Sequence, residues 1–258
     1  MSLKQLRRDH PRRQVEVDGT PVEVVRTYGS GPTLLMLPGA QGTAESFVHQ
    51  ILAFGAQRDV LSVHYPGWPD MASLADLIVA VTRALGIRRF DVVGSSLGGY
   101  LAQWIAMRHR DCVHRLVVGN SFDDPRPAQT PERLSRLVDR CAEAVKLELV
   151  ERLLAESPSE TRSTMLDLIG VQLSAEMLRD RMLAVQRAAP LDEGAQVASA
   201  MMIIESADDP VISQGRRASL RGRYPAAQVV TLTTGGHYPY LSTPHAYNAA
   251  LAQFLLLG

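Results

Sequence analysis

Apolar residues along this chain follow two rhythms. Short, nearly unbroken runs such as "TLLML" (33–37) and "FDVV" (90–93) alternate with longer stretches whose apolar positions recur every three or four residues, such as "SLADLIVAVTRALGI" (73–87) and "LGGYLAQWIAMRH" (97–109). Unbroken short runs suit strands covered on both faces, and the longer period suits the helices that cover them. Eight strands are predicted on this basis: "QVEV", "PVEVVR", "TLLML", "DVLSVHY", "FDVVGS", "VHRLVVG", "MMIIES" and "QVVTL". The first two are joined through Asp18-Gly19, a hairpin signal. The alternation predicts βαβ units and an α/β fold, a mostly parallel sheet flanked by helices.

The rhythm changes after the sixth strand. From 123 to 198 every patterned segment is helical, including "TPERLSRLVDRCAEAVKLELVERLLAES", "SETRSTMLDLIGVQL" and "SAEMLRDRMLAVQRAAP". Thr130-Pro131 and Ser174 mark helix starts. About seventy helical residues exceed one crossover connection. The expected organisation is a core of 1–122 and 199–258 with a helical cap inserted at 123–198.

Composition narrows the function. Formal charge is zero, which gives no electrostatic footprint for nucleic acid. No apolar run reaches the roughly 20 residues of a membrane span. The basic start "MSLKQLRRDHPRR" lacks the apolar stretch of a signal peptide and is expected to be a solvated tail. Cys112 and Cys141 have neither metal-type nor redox spacing, and with no signal peptide they favour a reducing cytoplasm. No cofactor and no metal are expected.

"DVVGSSLGGYLAQW" (91–104) carries the chemistry. Gly94-Ser95-Ser96-Leu97-Gly98 fits Gly-x-Ser-x-Gly, which puts a serine on a sharp strand-to-helix turn. Such a turn requires small residues two places to either side. Ser96 has Gly94 and Gly98 there, whereas Ser95 has Val93 and Leu97. Ser96 is therefore the expected nucleophile, and the helix after it aims N–H groups at the same point.

A serine hydroxyl needs a base. Of seven histidines, His237 in "TTGGHYPYL" directly follows the last strand, at the sheet end where Ser96 emerges. The acid that orients it should lie at the end of "MMIIESADDPV". Strand-end spacing favours Asp209, with Asp208 as the alternative and Asp123 or Asp124 as outside candidates. The order Ser, Asp, His is the one this architecture requires. The oxyanion donors are expected to be the N–H groups of Leu97 and, from "PGAQG", Ala40. Gln41 is expected to add a side-chain donor or to contact substrate. Trp68, in "HYPGWPD", either lines the pocket mouth or packs beneath it. Met165, Leu166, Leu168, Ile169, Met177, Leu178 and Met182 either wall an apolar pocket or pack the helices onto the sheet.

The order of "LPGAQG", "GSSLGG", "ADDPV" and "GGH" resembles the α/β-hydrolase family along nearly the whole chain. Within it, "LPGAQGTAESF", "VVGSSLGGYLAQ", "VVGNSFDD" and "TTGGHYPYL" resemble the maspardin-like group. The resemblance implies an eight-stranded, mostly parallel sheet with a helical cap and a Ser-His-Asp triad on Ser96, His237 and Asp209. It also carries two departures. Pro38 stands where many members have His, and His237 stands where maspardin, regarded as a non-catalytic binding protein, has Asn, so that His237 restores the base. An ungapped match to the maspardin-like group puts the acid on Asp208.

The expected activity is a metal-free serine hydrolase acting on a small or medium ester, thioester or lactone. The alternatives are a non-hydrolytic lyase, cyclase or isomerase on the same fold, and a binding or adaptor protein. The expected partner is a small acyl substrate, with self-association open.

Overall fold

Backbone pairing gathers all eight predicted strands into one sheet. The computed structural model describes residues 2–192, 197 and 200–256. The strands are β1 (Arg13–Val17), β2 (Thr20–Arg26), β3 (Thr33–Leu37), β4 (Val60–His64), β5 (Phe90–Ser95), β6 (Val113–Gly119), β7 (Ala200–Ser206) and β8 (Gln228–Leu232). Their order is β1-β2-β4-β3-β5-β6-β7-β8. β1 and β2 pair antiparallel, as do β2 and β4, and every later pair is parallel. The β1–β2 hairpin turns on Asp18 and Gly19, both at positive φ (48° and 76°), which suits the twist of a tight hairpin.

Central strands are buried on both faces, and the pleat sorts their side chains. Leu35, Leu37, Val92, Leu116, Val118 and Ile203 enter one core cluster. Their neighbours Leu34, Met36, Val93, Val117, Met202 and Ile204 enter the other. Alternation of this kind follows from the two-residue period of a strand. Helices α1 (Leu3–Asp9), α2 (Val48–Phe54), α3 (Met71–Ala84) and α4 (Leu97–Arg108) precede the long helical segment. Tyr100, Leu101 and Ile105 of α4 join Leu74 and Ile78 of α3 on the first face, and Ile51 of α2 lies on the second.

Between β6 and β7 the described residues contain helices and no strand. They are a 3₁₀ turn (Arg126–Ala128), α5 (Pro131–Val138), α6 (Ala142–Ala155), α7 (Glu160–Leu166), a π-helical turn (Asp167–Gln172) and α8 (Ala175–Arg187). The Thr130 and Ser174 hydroxyls accept from the N–H groups of Arg133 and Met177, which starts α5 and α8 where expected. The first predicted helical stretch divides: Asp139 ends α5, and Cys141, in extended backbone, caps α6. The expected boundary at 198/199 lies outside the described residues. α9 (Gln214–Arg223), α10 (Pro239–Ser242) and α11 (Pro244–Leu256) complete the chain. Among the described residues no helix is long and apolar enough to cross a membrane.

The N-terminal segment corrects the expectation of a solvated tail. Ser2 caps α1, and Leu6 of that helix is fully buried in the second cluster. Arg7 donates to Glu45 at 2.9 Å and forms a bidentate pair with Asp167, while Arg12 lies 3.3 Å from Glu45. Glu45 is buried, and a buried carboxylate requires partners. The charged tail supplies them.

Candidate active site

The end of β5 and the start of α4 set Ser96. Its backbone is at φ 54°, ψ −121°, outside the populated regions for a side-chain-bearing residue. Such a conformation costs about 1–3 kcal/mol and must be imposed by its surroundings. The Ser96 N–H donates to the Gly119 carbonyl at 3.0 Å, and Ser121 Oγ donates to the Ser96 carbonyl at 2.6 Å. The two flanking glycines allow the turn to close. A Cβ on Gly94 would lie 2.1 Å from the Gly98 carbonyl oxygen, and one on Gly98 would lie 2.0 Å from that of Leu37. Ser95 is buried, and Ser96 is the one partly exposed.

Loops at the carboxyl ends of β7 and β8 bring the other two groups to Ser96. His237 Nε2 lies 3.1 Å from Ser96 Oγ, and His237 Nδ1 lies 3.0 and 3.1 Å from the two Asp209 oxygens. A carboxylate facing Nδ1 keeps the proton there, so Nε2 is left to accept from the serine hydroxyl. Asp209 Oδ1 also accepts from the N–H groups of Val211 (2.7 Å) and Ile212 (3.0 Å). Burial acts to raise the Asp209 pKa, but the His237 bond and charge and these N–H groups hold it below the ordinary carboxylate range.

Asp208 has a different task. It accepts from the N–H groups of Gly235 (3.2 Å) and Gly236 (2.9 Å), tying down the loop before His237. Neither outside candidate reaches the imidazole: Asp123 accepts from Ser219, and Asp124 pairs with Arg126.

The loop after β3 faces the serine. A Cβ on Gly39 would come within 3.7 Å of Ser96 Oγ. The N–H groups of Ala40 and Leu97 take part in no backbone hydrogen bond among the described residues. Leu97 opens α4, where N–H groups have no helical partner. Gln41 Oε1 accepts from the Tyr238 hydroxyl at 2.5 Å. Ala40, Gln41, Ser96 and His237 line a cavity of about 500 Å³.

Trp68 is not part of that lining. It packs against the first core cluster, in the loop whose Gly67 is pressed against Asp180 and Arg181 of α8. The apolar residues of the helical segment divide likewise. Met182 lines the cavity, whereas Met165, Leu168, Ile169 and Leu178 are buried in packing. Among the described residues no three His, Cys, Asp or Glu side chains are grouped to ligate a metal ion.

Asn120 and Arg181 are among the side chains at the site that were not anticipated. Asn120, at φ 40° just beyond β6, donates from Nδ2 to Asp209 Oδ2 (2.7 Å) and to the Gly236 carbonyl (3.0 Å). Its signal in the sequence is an Asn at a strand end, a residue that tolerates positive φ. Arg181 of α8 is fully buried. Its Nε donates to the Tyr65 carbonyl at 3.0 Å, its Nη1 to the Gly42 carbonyl at 2.5 Å, and its guanidinium lies 4.4 Å from the Tyr65 ring centre. Burial lowers its pKa to about 10. The loop bearing Ala40 and Gln41 is thereby pinned to α8.

Three comparisons bear on this arrangement. Residues 34–250 match the model of the "Alpha/beta hydrolase family". The chain is 27% identical to maspardin of Danio rerio over 90% of this chain and 78% of that protein. Among solved structures, a hydrolase from Pseudomonas aeruginosa PA01 superposes with TM-score 0.81 at 21% identity, covering 95% of this chain and 98% of the other. The enol-lactonase from Burkholderia xenovorans LB400 superposes at 0.78 and 17%, covering 94% and 99%. The chain belongs to the α/β hydrolase family.

Proposed function

We propose that this protein is a serine hydrolase that cleaves ester-type bonds of small acyl substrates with Ser96, His237 and Asp209. The observation that carries the reading is the unbroken line from Asp209 through both ring nitrogens of His237 to Ser96 Oγ, each step 3.0–3.1 Å.

In this mechanism Ser96 Oγ attacks the substrate carbonyl carbon as its proton passes to His237 Nε2. The carbonyl oxygen becomes an oxyanion, received by the N–H groups of Leu97 and Ala40. Asp209 stabilises the imidazolium and keeps the ring aimed. Collapse breaks the bond to the leaving alcohol or thiol, which takes the proton from Nε2. Water then attacks the acyl-serine, giving its proton to Nε2, and the acid departs as Ser96 recovers its hydrogen. General-base help contributes ~10²–10⁴-fold, and each oxyanion donor ~10²–10³-fold. Segment 123–198 acts as a cap: α5, α6 and α8 supply Leu137, Leu149 and Met182 to the cavity wall.

An adaptor role without catalysis is the competing reading, drawn from the likeness to maspardin. A fluorophosphonate probe and a series of p-nitrophenyl esters of increasing chain length separate the two. Labelling and turnover lost in Ser96→Ala and His237→Ala support the hydrolase. Absence of both in the wild type overturns it. Ester consumption without a carboxylic acid product points to the non-hydrolytic alternative.

A further inference from the structure

Part of the cavity wall is cationic. Five arginines line it, Arg133, Arg136, Arg140, Arg152 and Arg216, against one carboxylate, Glu148. The whole chain is neutral, with 27 basic and 27 acidic residues, so the excess is local. Glu148 is already committed: it pairs with Arg140 and, at 3.0 Å, with Arg152. Among the described residues no carboxylate lies within 4.0 Å of the guanidinium nitrogens of Arg133, Arg136 or Arg216.

These three are placed to act together. Arg133 and Arg136 are three apart on α5, hence on one face. Arg216 comes from α9 and is stacked over Phe122, 4.4 Å from its ring centre. It donates to the Asp124 backbone carbonyl at 3.2 Å, while its buried Nε has no partner. Burial moves its pKa below the ordinary arginine value, and the nearby Arg133 charge adds to this, against attraction from Asp123, Asp124 and Asp209. A partly desolvated cation beside another cation, with no carboxylate in direct contact, gains from an anion that binds it directly. A planar guanidinium fork matches carboxylate and phosphate oxygens. Phe122, Leu137 and Leu149 line the same space and suit an apolar midsection.

We propose that Arg133, Arg136 and Arg216 form an anion clamp that selects acyl substrates bearing a carboxylate or phosphate group remote from the scissile carbonyl. The proposal deepens the hydrolase reading and, for its kinetic part, rests on it. Charge-assisted hydrogen bonds are strong enough for about 10–100-fold discrimination.

The test compares p-nitrophenyl valerate with mono-p-nitrophenyl glutarate, matched in length and differing in the terminal carboxylate. The ratio of kcat/KM, glutarate over valerate, is expected to exceed about tenfold at low salt. It should fall toward one in Arg133→Gln/Arg136→Gln and in Arg216→Gln, and shrink with added salt. Binding is read separately by calorimetry on Ser96→Ala, with glutarate, inorganic phosphate and neutral glutaramide as probes. Glutarate or phosphate binding that weakens at least tenfold in the arginine variants supports the clamp, and the stronger of the two names the preferred anion. The α5 double variant changes exposed side chains, so a folding defect in Arg216→Gln leaves the test intact. A ratio near one, with neither anion binding more tightly than glutaramide, overturns the clamp while the hydrolase stands. Arginine-dependent anion binding with no ester turnover upholds the clamp and overturns the hydrolase.

Discussion

Asn120 offers the sharpest test of how the acid is held. Asn120→Ala removes the donor 2.7 Å from Asp209 Oδ2 and the one 3.0 Å from the Gly236 carbonyl. A hydrogen bond to a buried carboxylate contributes ~1.5–3 kcal/mol and one to a carbonyl ~0.5–1.5 kcal/mol. Asn120 Oδ1 is buried without a partner, and its removal returns about 1 kcal/mol. The net loss is then about 1–3.5 kcal/mol, a fall in Tm of roughly 2–14 °C for a chain of this size. The loss has a pH signature. The folded Asp209 pKa is depressed, so its ionised form contributes stability above the ordinary carboxylate value near ~3.9, lost as pH falls through the lower folded pKa. The difference between wild type and Asn120→Ala should be full near about pH 7 and shrink below about pH 4, as the bond becomes one to a neutral carboxyl. Urea melts across that range measure it. The proposed esterase kcat should fall about 10–100-fold as the imidazole loses its fixed aim. An equal stability difference at both ends of the range would refute the assignment of the loss to the carboxylate.

Four further outcomes are expected. Gly98→Ala puts a methyl 2.0 Å from the Leu37 carbonyl oxygen and 2.5 Å from that of Pro38, backbone against backbone, and should cost about 3 kcal/mol or more in denaturant melts. Leu6→Ala empties a fully buried position under α1 and should cost about 2–5 kcal/mol in the same measurement. Asp208→Ala frees the Gly235 and Gly236 N–H groups and should lower kcat more than it raises KM, because it loosens the loop carrying His237 rather than the cavity wall. Arg181→Met leaves the Tyr65 and Gly42 carbonyls unpaired and should cost about 2–5 kcal/mol by melts, with a reduced kcat for the proposed hydrolysis as the loop carrying Ala40 is freed.

The sheet was legible because its signals are local. Apolar runs, a hairpin dipeptide and glycines two places from a serine each act through neighbours in the chain. Asp208 and Asp209 show where that stops. They are adjacent in one turn, and only the fold shows that one grips loop amides while the other meets an imidazole 28 residues on. Asn120 and Arg181 act across 89 and 139 positions, on Asp209 and Gly42, so no spacing rule exposes them. The arginine cluster escaped for the same reason: α5, the turn after it, α6 and α9 contribute its members, and each segment alone reads as an ordinary charged surface. The basic start misled because its apolar anchors, Leu6 and the partly buried Leu3, stand among charges whose acidic partners lie far along the chain.

Arg181 also divides the roof of the cavity into a fixed part and an adjustable part. Lifting α8 would strip the guanidinium from the Tyr65 and Gly42 carbonyls at once and drag the Ala40 segment out of register with Ser96. That helix behaves as foundation. Room for a longer or bulkier guest must come from α5 and α6, which carry no comparable buried anchor among the described residues. Grafting those two helices from a relative should therefore transplant the range of guests accepted, while the reacting groups beneath keep their spacing.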